Sequence, residues 1–282
     1  LISEYPESQY VDDALFEKGR SYVLLENSSS AAQAFEKLIR EFPQSSLARK
    51  AGIQLGLLYY NDNQPEKALA AYKQVISNYP GSEEAKIALQ DLKSVYIDLN
   101  DINAYASYVN SIGGNTRLEV GEQDSLTYIA AEKLFMRGDN DGARRSLINY
   151  LQTFPEGAFS SNANFYLGSI AFAKKEFDEA IQRFKSVIAS GDTKFLEESV
   201  ARTAEIEYLS KDYPAALESF KRLQIVAENP ENRQAARLGI MRCALQTGQQ
   251  KDALLAADEL LKEPKLSPEL EAEARYVRAK AY

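Results

Sequence analysis

A repeat with a period near 37 residues constrains the fold of this chain more than any other feature. Alanine recurs at steps of 37, 36, 39, 37, 36 and 37 residues, and in most frames a large apolar residue follows it four positions later. Self-similarity at such a period indicates stacked supersecondary units. The pairs are Ala31 and Phe35, Ala68 and Tyr72, Ala104 and Tyr108, Ala143 and Leu147, Ala180 and Phe184, Ala216 and Phe220, and Ala253 and Ala257.

Each unit is predicted to contain two helices. Apolar side chains in residues 68–76 recur at offsets 0, 1, 3, 4, 7 and 8, which is a one-sided stripe at the helical period. The preceding segment carries a stripe of its own, which includes Leu55 and Leu58. Proline cannot continue a helical hydrogen-bond ladder, so Pro43 and Pro80 mark the ends of units. Because no alternating strand pattern competes, the expected fold class is all-α.

Composition argues against several classes of function. The chain has 33 Lys and Arg against 41 Asp and Glu, so its net charge is −8 and it has no cationic excess for a phosphate backbone. It has no His, which is the commonest general base and the commonest metal ligand. A single cysteine, Cys243, excludes an internal disulfide framework. We therefore expect no catalytic, cofactor-binding or metal-binding residues, and no apolar run reaches the ~18 residues of a membrane span.

Three local patterns that could suggest chemistry have structural interpretations. Asp139 could begin a calcium-binding loop, but the twelfth position is Tyr150 where that loop needs Glu, so a turn is predicted. Cys243 lies on a predicted helix among apolar residues and is expected to be a buried thiol. Paired acids such as Glu83 and Glu84 lie at helix starts, where they complement the helix dipole.

The residues of one unit resemble the tetratricopeptide repeat (TPR) family. Leu55, Gly56 and Tyr59 are followed by Ala68 and Tyr72 in the order and spacing of that family's pattern, with a proline at the end of the unit. The resemblance implies a right-handed superhelix of antiparallel helix pairs, in which glycine lets two helices approach and an aromatic ring fills the space between them. The longer period and the aromatic-Pro-x-Ser junctions are similar to bacterial envelope TPR proteins of the BamD and Tol-Pal YbgF type.

The resemblance also implies a concave surface formed by the first helix of each unit. Such an aromatic groove with sparse charges would bind a peptide or helix. The alternative is that the aromatic rings pack against neighbouring units, and the sequence leaves both possibilities open. The predicted groove residues are Phe16, Arg20, Tyr60, Lys93, Tyr96, Tyr128, Glu132, Phe135, Phe165, Phe172, Glu205 and Tyr208.

The step of 39 residues predicts an irregular junction. Three glycines in residues 113–122 disfavour helix there. We therefore expect two sub-arrays, residues 1–112 and 123–282, with 113–122 as a junction. Residues 1–6 resemble the tail of a second helix and residues 267–282 a first helix without its partner, so the chain is expected to be a window on a longer solenoid.

The predicted function is a non-catalytic scaffold or adaptor for a protein or peptide partner. Nucleic acid is not expected as a partner, nor is a direct membrane span. A structural spacer or self-association module is the alternative function. The envelope resemblance implies a location in the periplasm or at the outer membrane, and the cytoplasm is the alternative.

Overall fold

The computed structural model describes residues 2, 4, 7–113, 117–191, 194–264 and 266–280. Within these ranges the chain forms fifteen helices and no strand, which confirms the all-α prediction. Leu1, Pro6 and Tyr282, which entered the predictions for the two ends, lie outside the described residues. The helices are α1 (Val11–Leu24), α2 (Ser28–Glu41), α3 (Ser46–Asn61), α4 (Pro65–Asn78), α5 (Glu83–Asp98), α6 (Ile102–Ile112), α7 (Val120–Met136), α8 (Asn140–Thr153), α9 (Ser160–Ala173), α10 (Phe177–Ser190), α11 (Leu196–Leu209), α12 (Tyr213–Val226), α13 (Pro230–Gln246), α14 (Gln250–Leu260) and α15 (Pro268–Lys280).

Consecutive helices pack as antiparallel pairs, as expected for TPR units. The contacts divide the chain into two compact units, residues 1–130 and residues 131–282. In the first unit α1 packs on α2, α3 on α4 and α5 on α6; in the second, α9 packs on α10, α11 on α12 and α13 on α14. Three residues join the helices of each pair, and the same length of turn joins α7 to α8.

Glycine allows the two helices of a pair to approach closely. A Cβ at Gly19 would lie 2.7 Å from Cδ1 of Phe35, and a Cβ at Gly56 would lie 2.7 Å from Cδ1 of Tyr72. Gly168 faces the Phe184 ring in the same way, at 2.8 Å. All three rings are fully buried, so the predicted role of the Gly and aromatic positions is confirmed.

The turn within each pair gives the register of the repeat. The middle residue of every such turn has a left-handed φ between 54° and 83°. The next residue is the N-cap of the second helix, and successive N-caps are 37, 37, 38, 37, 36 and 37 residues apart. These N-caps are Asn27, Gln64, Asp101, Asp139, Glu176, Asp212 and Gln249.

This register corrects the frame predicted for the third unit. The Asp101 side chain caps α6 by accepting a hydrogen bond from the Ala104 N–H at 3.1 Å. Tyr105 and Val109 are therefore the buried pair on α6, whereas Ala104 and Tyr108 are only partly buried. The alanine frame through Ala104 was wrong by one residue, and the largest step between units is 38 residues.

The predicted junction is partly helical. α7 begins at Val120, so the last three residues of 113–122 belong to that helix. Leu118 packs against the hydrophobic cluster of the first unit, while Val120 is 72% exposed. Residues 114–116 lie outside the described residues. The division between the compact units falls inside α7, and the two sub-arrays 1–112 and 123–282 stay a prediction.

The local patterns have the predicted structural roles. The Asp139 carboxylate caps α8 by accepting a hydrogen bond from the Gly142 N–H at 2.9 Å. Glu83 and Glu84 lie in the first turn of α5. Cys243 is fully buried, and this burial raises the pKa of its thiol to about 11.

Candidate binding cleft

Two predicted groove residues of the first unit lie in its core, and a third, Lys93, does not lie at the groove position predicted for it. Tyr96 and Tyr128 are only 5% and 2% exposed, so both are core residues. The one-residue error in the frame of the third unit also affects Tyr96. Tyr96 lies five residues before the N-cap Asp101, so it is equivalent to Tyr59 on α3 and not to Tyr60. For the same reason Lys93 occupies the place of Gly56, and its ammonium pairs with Glu122 at 3.4 Å.

Two other aromatic residues of the first unit also pack within it. The Phe16 ring lies 5.9 Å from the Phe35 ring, and Tyr60 packs against the cluster built by α4, α5 and α6. The Tyr60 hydroxyl also donates a hydrogen bond to Asp98. Arg20 is exposed and pairs with Glu17 on its own helix. The Phe16 and Tyr60 rings are partly buried by these contacts, and a groove in this unit stays a prediction.

Most groove candidates of the second unit fill the space between neighbouring helices. The Phe135 ring lies 4.6 Å from Tyr166, whose hydroxyl donates a 3.0 Å hydrogen bond to Glu132. The Phe165 ring stacks on Phe195 at 4.2 Å. Phe172 is covered by the Arg202 guanidinium, which lies 4.9 Å from the centre of the ring. These contacts bury part of the Phe135, Phe165 and Phe172 rings.

Glu205 and Tyr208, the remaining predicted residues, line an open cleft. This α11–α13 cleft has a volume of about 300 Å³ and lies between the first helices of two successive units, with α12 beneath it. The side chains that line it include Ala201, Glu205, Tyr208, Leu209, Phe220, Leu238 and Arg242.

A small residue lies in the wall of the cleft at the repeat position where α9 has a ring. Phe165 lies eleven residues before the N-cap of its unit, and Ala201 holds the equivalent position on α11. Whereas Phe165 fills its inter-helix space by stacking on Phe195, the Ala201 methyl group leaves that space empty. Leu238 is the equivalent residue on α13 and forms part of the opposite wall.

The floor and one edge of the cleft are apolar. Phe220 and Leu223 of α12 are buried beneath it. A Cβ at Gly239 would lie 2.5 Å from Cδ1 of Phe220, so glycine lets α13 approach the floor. Leu209 is 55% exposed at the edge. A large apolar side chain in water at the mouth of a cleft is available to bury against a ligand.

The charges around the cleft are neutralised within the chain. Arg202 donates hydrogen bonds to Glu198 at 2.8 Å and to Glu205 at 2.9 Å. Arg242 forms two 2.7 Å hydrogen bonds with Glu273 of α15. These bonds raise the pKa of Arg242 and lower the pKa of Glu273, because each charge stabilises the other. The cleft therefore presents apolar surface between satisfied ion pairs.

Across the described residues, no group of three or more His, Cys, Asp or Glu side chains is arranged to hold a metal ion. In that same part of the chain, every helix is too short or too polar to cross a lipid bilayer.

Two segments of the chain match known protein families. Residues 12–90 match the family described as outer membrane lipoprotein, YfiO. Residues 130–193 match a family described as tetratricopeptide repeat. No curated protein matches the chain in sequence.

Solved structures with similar helix pairs share little sequence with this chain. The C-terminal part of a TPR protein from Cytophaga hutchinsonii is 12% identical, covers 91% of this chain and 98% of its own, and has a TM-score of 0.47. The type IV pilus biogenesis factor PilW is 14% identical, with coverages of 94% and 99% and a TM-score of 0.39. The TPR2AB domain of yeast Sti1, solved as a complex with pHSP90, is 11% identical, with coverages of 97% and 99% and a TM-score of 0.41.

The family matches lie on the helix pairs of each compact unit, where the glycine and aromatic positions carry the repeat. The chain is therefore built from antiparallel helix pairs, with residues 130–193 similar to the tetratricopeptide repeat family and residues 12–90 similar to the outer membrane lipoprotein family.

Proposed function

We propose that the chain is a non-catalytic scaffold that binds an apolar segment of a partner protein in the α11–α13 cleft. The observation that carries the proposal is the opening left by Ala201, which is lined by Tyr208, Leu209 and Leu238. The proposal limits the predicted groove to the space between α11 and α13, where there is room for side chains of a ligand.

The chemistry of the cleft supports an apolar ligand over a charged peptide. Arg202 and Arg242 already have carboxylate partners, so a ligand charge would have to displace them. A volume of about 300 Å³ suits a few anchoring side chains, which is how a helix or extended peptide docks through apolar residues at fixed spacing. Binding should depend weakly on salt, because screening acts on charges and not on buried apolar area.

We further propose that the protein works in a bacterial cell envelope. The match of residues 12–90 to an outer membrane lipoprotein family supports this location. Fractionation of cells that produce the full-length protein tests it. Recovery in the membrane or periplasmic fraction is expected, and recovery only with cytosolic markers would contradict the proposal.

Filling the cleft tests the binding site directly. Peptides would be selected from a random display library on the wild-type protein, and their affinities measured by fluorescence anisotropy. Ala201→Phe restores the ring found at Phe165 and should weaken binding by roughly tenfold or more, because anchoring residues typically contribute over 1 kcal/mol. Ala189→Phe, at an exposed position on α10, is the matched control and should bind normally.

Two outcomes would contradict this function. Peptides that bind Ala201→Phe as tightly as the wild type would place the ligand elsewhere. If no peptide is recovered and sedimentation shows growth in size with concentration, the protein is a self-association module instead.

A further inference from the structure

A second cleft lies in the first unit, where the third repeat departs from its neighbours. Lys93 lies eight residues before the N-cap Asp101, at the place where α3 has Gly56. A lysine stem cannot provide the close approach that the glycine gives to Tyr72. A cleft of about 460 Å³ opens beside α5, α6 and residues 117–122, and we call it the α5–α6 cleft.

The α5–α6 cleft combines an apolar lining with positive charge. Three cationic side chains, Lys86, Lys93 and Arg117, line it together with one carboxylate, Glu122. Since the whole chain carries a net charge of −8, this cationic surface is a local exception. The apolar part of the lining is Leu89, Tyr105, Val109 and Leu118.

The cations are held by weak partners. Lys93 is 3.4 Å from Glu122, and Lys86 pairs with Glu83 while both side chains are largely exposed. Surface pairs of this kind contribute only ~0–1 kcal/mol, so a ligand carboxylate can replace them. Within the described part of the chain Arg117 forms no ion pair.

We propose that the α5–α6 cleft binds an acidic segment of a partner protein. Ligand carboxylates would pair with Lys86, Lys93 and Arg117, while an apolar ligand side chain would pack on Leu89 and Leu118. This site goes beyond the proposed function, because it lies in the other compact unit and selects charge where the α11–α13 cleft selects apolar surface. The acidic remainder of the chain repels such a ligand and confines it to the cleft.

A defined acidic peptide tests the site. The probe is a fluorescein-labelled, amidated 12-residue peptide of four Glu-Glu-Leu repeats, and its control has Gln in place of Glu. Binding by anisotropy should need Glu and weaken as NaCl rises from 50 to 300 mM. Lys93→Met and Arg117→Met should each weaken binding by roughly three- to tenfold, as expected for loss of a partly exposed ion pair.

Matched controls separate this result from misfolding and from the other cleft. Lys50→Met removes an exposed charge of α3 outside the cleft and should bind normally. Ala201→Phe should also leave the acidic peptide unaffected, so either proposal can fail alone. Equal binding of the Gln peptide, or unchanged affinity of a folded Lys93→Met variant, would overturn the proposal. Lys93-dependent binding of phosphatidylglycerol vesicles without peptide binding would overturn it as well.

Discussion

Replacing Gly56 by alanine tests whether close helix approach holds the repeat together. The added Cβ would lie 2.6 Å from Cζ and 2.7 Å from Cδ1 of Tyr72. Carbon atoms in contact normally lie ~3.5–4 Å apart, so α3 and α4 must separate by roughly 1 Å or the ring must leave its site. Tyr72 is only 1% exposed, so a displaced ring would have to push against buried neighbours.

The expected loss of stability is the difference between two effects. Overpacking of a buried site costs ~1–3 kcal/mol, whereas alanine recovers ~0.5–1 kcal/mol over glycine inside a helix. Gly56→Ala should therefore destabilise the protein by ~1–2 kcal/mol. Gly121→Ala is the matched control, because a Cβ on that α7 glycine meets nothing within 4 Å. That variant should be slightly more stable than the wild type.

Thermal unfolding followed by far-UV circular dichroism separates the two variants. The midpoint of Gly56→Ala should fall by roughly 2–8 °C, given 2–4 °C per kcal/mol for a unit of this size. The midpoint of Gly121→Ala should not fall. If Gly56→Ala melts at or above the wild-type midpoint, the ring does not need the glycine, and the packing explanation of the repeat is refuted.

Three further predictions concern the second unit and the junction. The pairing with Arg242 lowers the pKa of Glu273, so it stabilises the fold above the ordinary carboxyl pKa of 4.5, and this stabilisation is lost as the pH falls through the lower pKa of the folded state. In urea titrations between about pH 5 and pH 3, Glu273→Gln should therefore lose less stability than the wild type. An unchanged pH dependence would show that the pair does not stabilise the fold. The buried thiol of Cys243 should react with a disulfide reagent at pH 8 only after urea unfolds the second unit, so rapid labelling of the native protein would contradict its place in the core. Limited trypsin digestion should cut first at the exposed Arg117 and yield two helical fragments if the predicted junction is a hinge, whereas cleavage confined to the termini would show a continuous array.

Much of the fold could be predicted because packing requirements repeat in the sequence. Gly56 and Tyr72 must occur together for two helices to fit, so their spacing predicts the pair. The predicted frame of the third unit was wrong by one residue, because Ala104 and Tyr108 have the same spacing as the alanine and aromatic residues of the other units. The physical register is set by the capping carboxylate of Asp101, which a search for apolar residues ignores.

The candidate cleft was only half predictable. Tyr208 and Glu205 were found because their residue types are conspicuous at groove positions. Ala201 was not predicted, because alanine is common in helices and its small side chain gives no sequence signal for the space beside it. Whether rings such as Phe165 stay available depends on neighbours like Phe195, which lies thirty residues away in the sequence.

At one repeat position a ring is exchanged for a methyl group. A single residue at that position can therefore decide where along the array an opening lies. Every unit offers the same position, which holds Phe165 on α9 and Ala201 on α11. A Phe165→Ala substitution would open a second vacancy one period earlier, and Ala201→Phe would close the existing one. The place of an opening can thus shift along the array in steps of about 37 residues, without any change in the number of helices or in the turns that connect them.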